Sequence, residues 1–118
     1  FLPPTDPTGV AATIQAHDYV VIASETETFG LVALEAMACG KPVLATACGG
    51  PQDVIVDDHL GLIVENSEDG LAAGLVEMAK RSEMFDPAHI RSHVERAASW
   101  ERVAQSLTEA YATALDQN

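Results

Sequence analysis

The chain has 118 residues, 47% hydrophobic and 20% charged, a size and balance that support one domain with its own core and exclude intrinsic disorder. Eighteen Asp and Glu against six Lys and Arg leave a net charge of −12, which argues against nucleic acid and anionic lipid as partners. No apolar run reaches the roughly 18–20 residues needed to span a bilayer.

The opening stretch FLPPTDPTG carries no Met and has neither the basic start nor the apolar run of a signal peptide, so the chain reads as part of a longer protein. A first strand is predicted over Tyr19–Ile22, rich in β-branched residues. A polar turn, Ser24 to Gly30, leads into a helix over about Leu31–Cys39, with Val32, Glu35, Ala36 and Cys39 among its residues. Gly40 closes that helix and Pro42 follows it. Strands are predicted again over Pro42–Thr46 and Gly61–Val64, with a Gly-rich turn, Cys48 to Pro51, between them. None of the three runs alternates with polar residues, the pattern of strands buried on both faces of a parallel sheet. Ser67 caps the next helix, with Glu68 and Asp69 in its first turn and Leu71, Leu75, Met78 and Ala79 marking its apolar side. Asp86-Pro87 starts another. The last spans about residues 99–116 and places Trp100, Val103, Leu107, Ala110 and Ala114 on one face. Strands alternating with helices give an α/β fold with a doubly wound parallel sheet. Three strands make a narrow one, so further strands are expected upstream.

Cys39 and Cys48 stand in predicted core segments without a CxxC or neighbouring metal ligands, and read as two reduced, buried thiols in a cytoplasmic protein. His89 and His93 have the i, i+4 spacing of a ligand pair but no partner glutamate or cysteine, and no metal site is assigned to them. His17 and His59 fall near strand starts and read as surface positions. Trp100 and Tyr111 read as packing residues of the last helix, within the chain or against a domain outside it that would leave an exposed apolar patch here.

Ligands of open parallel sheets bind beyond the carboxyl ends of the strands. The turn after Ile22 runs directly into a helix start, where unpaired N–H groups and the helix dipole attract phosphate. Gly30 permits close approach of a ligand to the backbone, and the Gly49-Gly50 turn is expected to face the same cleft. Two backbone-lined turns suit a diphosphate. Glu27 and Glu35 lie eight residues apart, one on the turn and one in the helix. On pattern alone Glu35 serves equally well as a solvated helix position. A glycosidase-like acid/base pair leaves the phosphate cradle unexplained.

The stretch ETFGLVALEAMACGKPVLATACGGPQDVI, with its E-x7-E spacing, resembles the donor-binding signature of the family 4 (group 1) retaining glycosyltransferases. The resemblance implies the C-terminal, nucleotide-sugar-binding domain of a GT-B enzyme, Rossmann-like and incomplete on its N-terminal side, spanning residues 1–118. It implies transfer of a sugar from a nucleoside-diphosphate sugar to a hydroxyl acceptor with retention, and no permanently bound cofactor. Glu27 is then the catalytic contact to the transferred sugar. Backbone N–H groups of Phe29, Gly30 and Leu31 hold sugar hydroxyls and the diphosphate, with Val32 near the distal phosphate. Glu35 accepts the ribose hydroxyls, and Gly49 and Gly50 leave room for the donor. The implied partner is an N-terminal acceptor domain, with self-association through the exposed domain face as a further expectation. Peripheral membrane attachment is left open for the full-length enzyme. Ala23 stands where the family usually has Pro, and Asp53 where it often has Glu. The Arg/Lys pair that neutralises the leaving diphosphate precedes this segment in the family, so the chain alone is expected to be inactive. The alternatives are a non-catalytic nucleotide-binding or interaction module and a GT-B epimerase or phosphorylase.

Overall fold

A central strand organises the chain. The structure is a computed structural model describing residues 3–116, with side chains to residue 113. Strands β1 (Val20–Ile22), β2 (Val43–Thr46) and β3 (Gly61–Val64) form a parallel sheet in the order β1-β2-β3. Val20 is level with Val43, and Val43 with Gly61, so the strands are in step at their amino ends. All four β2 residues are buried, whereas Val21 of β1 is 40% exposed. Burial on both faces therefore holds for β2 alone, because β1 and β3 are edge strands in the described sheet.

Residues alternate across a strand, and β2 divides the core accordingly. Val43 and Ala45 pack with Ala33, Ala36 and Met37 of α2 (Leu31–Ala38) and with Ile90 of α5 (Pro87–Ala97). Leu44 faces the other way, toward α4 (Glu68–Lys80), where a Cβ on Gly74 would stand 2.7 Å from Leu44 Cδ1. Helices thus cover both faces. The inward side of α4 runs through Leu71, Gly74 and Met78, while Leu75 is 38% exposed and Ala79 is exposed. The apolar spacing marks this helix correctly but places its buried side slightly off, because the glycine lets the helix approach at a position pattern reading skips.

Side-chain caps start the helices where expected. Ser67 Oγ accepts from the Gly70 amide at 3.0 Å, and Asp86 Oδ1 accepts from the Ala88 amide at 2.9 Å. An unpredicted first helix, α1 (Pro7–Gln15), uses the same device, with Asp6 accepting from Gly9 at 2.8 Å. It lies against α2 with Val10, Ala11 and Ile14 half-buried. A second unpredicted helix, α3 (Gly50–Val54), replaces part of the expected Gly-rich turn. At the amino end of the sheet, Arg81 binds the Asp58 carboxylate at 2.6 Å and ties the end of α4 to the loop before β3.

The last helix, α6 (Trp100–Asp116), stands away from this body. Trp100 is 85% exposed and Tyr111 70%, with Val103 and Leu107 on the same exposed stripe. They are not packing residues within the described chain. Ala114 lies outside the described side chains. The projecting helix raises the radius of gyration to 16.2 Å, against about 13 Å for a compact domain of about 100 residues. Cys39 also differs from expectation: it is half-buried, and only Cys48 is buried, both as free thiols.

Candidate functional site

Two loops meet beyond the carboxyl ends of β1 and β2. The first, Ala23 to Gly30, is the polar turn, and the second carries Cys48 and Gly49 into α3. An isolated parallel bridge pairs Glu27 with Gly49. The Glu27 amide donates to Cys48 O at 2.7 Å, and the Gly50 amide donates to Glu27 O at 2.9 Å. A Cβ on Gly49 would stand 2.4 Å from Glu27 O, and one on Gly50 would stand 2.5 Å from the Gly30 nitrogen. The space beside this glycine pair is therefore filled by the first loop. Absence of side chains here brings the two loops together.

The same contacts decide which amides are left unbonded. In the second loop the Gly49 amide donates to Gln52 Oε1, the Gly50 amide to Glu27 O, and Pro51 has no N–H. In the first, the amides of Phe29 through Ala33 have no acceptor among the described residues. They gather where α2 begins, at the positive end of its dipole. Gly30 caps the helix with φ +67 and ψ 34, a left-handed conformation that its lack of a side chain permits. Phe29, Leu31 and Val32 surround this point and are 75%, 64% and 49% exposed. The second turn, expected to face the same cleft, has its two glycine amides bonded within the chain, and the space beside Gly49 and Gly50 is taken by the first loop.

Both singled-out carboxylates are near α2 but in different surroundings. Glu27 is half-buried, and its Oε1 accepts from Ser24 Oγ at 2.9 Å. Glu35 is exposed, on the rim of a largely apolar groove between α1 and α2 that includes Val10, Ile14 and Cys39. Thr46, which the sequence places only at the end of a strand, completes the site together with Ser24. Thr46 is 3% exposed, and its hydroxyl donates to Ser24 O at 2.7 Å. The available signal was a lone hydroxyl ending an otherwise apolar strand, just before the glycine loop.

The remaining polar candidates lie elsewhere. Lys41 lines a hollow at the opposite end of the sheet with Asp18 and Tyr19. His89 stands against His59, their ring centroids 6.2 Å apart. Among the described residues, no group of three or more His, Cys, Asp or Glu is placed to hold a metal ion. No described helix is long and apolar enough to cross a membrane.

The comparisons converge on one family. The family model described as glycosyl transferases group 1 matches residues 1–94. The D-inositol 3-phosphate glycosyltransferase of Geodermatophilus obscurus is 41% identical over 118 residues, a match covering 99% of this chain and 26% of the relative. The protein of that name from Mycobacteroides abscessus is 39% identical over 119 residues, covering 98% of the chain and 26% of the relative. Sucrose-phosphate synthase from Thermosynechococcus elongatus superposes with a TM-score of 0.83 at 30% identity, covering all of this chain and 30% of the other. Anabaena HepE, solved in complex with UDP, shares the fold with a TM-score of 0.71 at 23% identity, covering 86% of this chain and 29% of the other. The chain thus spans about a quarter of the length of the curated relatives it matches. It belongs to the group 1 glycosyl transferase family.

Proposed function

We propose that this chain is the donor-binding portion of a retaining GT-B glycosyltransferase, moving a sugar from a nucleoside diphosphate to a hydroxyl acceptor. The carrying observation is the row of unbonded amides from Phe29 to Ala33 at the start of α2, with the Glu27 carboxylate on the adjoining loop. Diphosphate oxygens accept from those amides at a site where the dipole favours negative charge. Glu27, half-buried beside them, accepts a hydroxyl of the transferred sugar. Glu35 lies farther along α2, beside an apolar groove, and in this reading accepts the ribose hydroxyls. Gly49 and Gly50 act by holding the first loop in place rather than by lending amides.

The leaving diphosphate needs cations that these residues do not supply. Lys41 is at the other end of the sheet, Arg81 is paired with Asp58, and the Arg91 guanidinium reaches Ala38 O. In this reading turnover draws on cations beyond these two loops, and the chain alone is expected to bind donor without transferring it. The uncovered apolar stripe of α6 supports contact with an acceptor-binding domain. Relatives named for D-inositol 3-phosphate, and a neighbour named for sucrose phosphate, support a phosphorylated polyol or sugar as acceptor.

The test is amide shift mapping of the chain against UDP-, GDP- and ADP-sugars. Shifts at Phe29 to Val32 and at Glu35 for one nucleotide are expected. UDP is the first to try, given the ligand named for HepE. Silence across the panel, repeated in the polypeptide that carries these residues, ends the donor-binding reading.

A further inference from the structure

We infer that Ser24 and Thr46 are positioning residues that set the orientation of the Glu27 carboxylate, an inference that rests on the donor-binding reading. A buried hydroxyl must find an acceptor, and Thr46, at 3% exposure, finds Ser24 O at 2.7 Å. Ile22 O stands farther off, at 3.4 Å, so the single hydroxyl proton is directed to Ser24. That bond fixes the backbone of Ser24 against the end of the central strand. The Ser24 hydroxyl in turn donates to Glu27 Oε1 at 2.9 Å.

An ionised carboxylate only accepts hydrogen bonds. With Oε1 engaged by Ser24, Oε2 is the oxygen left for a sugar hydroxyl. The Glu27 backbone is held independently, through Cys48 O and the Gly50 amide. Main chain and side chain of Glu27 are thus fixed by separate contacts. Removing the Ser24 hydroxyl releases the carboxylate without moving the loop. Such a change misaligns the contact at the reacting sugar and leaves the amides at α2 untouched, so it acts on turnover rather than on donor capture.

The experiment measures kcat and KM in the polypeptide that carries these residues. The probe is whichever of UDP-glucose, GDP-mannose and ADP-glucose the wild type turns over fastest with D-inositol 3-phosphate as the hydroxyl acceptor, read as nucleoside diphosphate released. Ser24→Ala is expected to lower kcat about tenfold, as loss of one charge-assisted hydrogen bond predicts, with KM within about twofold. Thr46→Val should act in the same direction, and Thr46→Ser should restore the rate. In a Glu27→Ala background Ser24→Ala should add nothing, because its effect passes through Glu27. Ser24→Ala at the wild-type rate, or an equal further loss without Glu27, overturns the inference. Loss in Glu27→Ala with none in Ser24→Ala removes this inference alone. Unchanged turnover in Glu27→Ala removes the role given to Glu27 and this inference with it, and a wild type that uses none of the three donors removes the functional reading as well.

Discussion

The two glycine-bearing loops at the carboxyl end of the sheet look alike in sequence and do opposite things. The loop at Gly30 keeps its amides unbonded and its Phe29, Leu31 and Val32 side chains in solvent. At the second loop the Gly49 and Gly50 amides are both bonded within the chain, and Gly50 is buried. In the proposed donor-binding reading, one loop meets the ligand and the other backs it. A glycine pair after a parallel strand is thus no sign of a phosphate cradle until its N–H groups are accounted for.

The contrast can be broken most severely at Gly50. Its missing Cβ faces backbone atoms of Phe29 and Gly30, which cannot swing aside. Gly50→Ala should cost about 3 kcal/mol in urea unfolding, at the upper end for overpacking. Phe29→Ala on the opposite loop should stay within about 0.5 kcal/mol. Equal effects at the two positions would end the division of labour. Next in size, Glu27→Ala should lower kcat about 100-fold with a smaller change in KM, as for loss of one oriented group at the reacting centre. A change confined to KM would move Glu27 away from the transferred sugar.

Glu35→Ala should weaken donor binding by about 1.5 kcal/mol, the lower end for a hydrogen bond to a charged group, because this carboxylate is exposed. Titration calorimetry showing unchanged affinity would remove the ribose contact. The smallest effect lies at the far end of the sheet, as a control. The Arg81 guanidinium, by hydrogen bond and then by charge, holds the Asp58 carboxyl below the usual aspartate range. A lowered folded value means that this contribution is complete above the unfolded value and lost as pH falls through the folded one. Asp58→Asn should therefore cost a little stability at neutral pH and nothing in strong acid, with no change in donor binding at either. Both carboxylate and guanidinium reach solvent, so salt should shrink the difference further.

What was legible in the sequence was what depends on near neighbours. The strands carried β-branched runs, and Ser67 and Asp86 announced their helices through caps three and two residues from their donors. Asp6-Pro7 offered the same signal for α1, but the apolar side of that helix is short and only half-buried, so its periodicity is faint. Five-residue α3 is too short to show a period at all. The candidate site divides in the same way. Its turn-into-helix junction and both glutamates could be read locally. The Thr46–Ser24 bond spans 22 residues, and the fit of Gly50 against Gly30 depends on two loops that only the sheet brings together. Exposure of Val21 was equally out of reach, since an apolar side chain does not record what covers it.

The Glu27–Gly49 bridge has a consequence for encounter with a ligand. Ordinary pairing of β1 with β2 ends at Ile22 and Ala45, and one more rung closes the ladder at Glu27 and Gly49. Residues 23–26 are thereby a small ring pinned at both ends, with few conformations left to lose. Amide exchange at Glu27 and Gly50 should accordingly follow the opening of the sheet rather than loop motion. If α2 takes a nucleotide as proposed, the ligand meets a surface already in its final shape, and the entropy of ordering this loop is settled during folding rather than at binding.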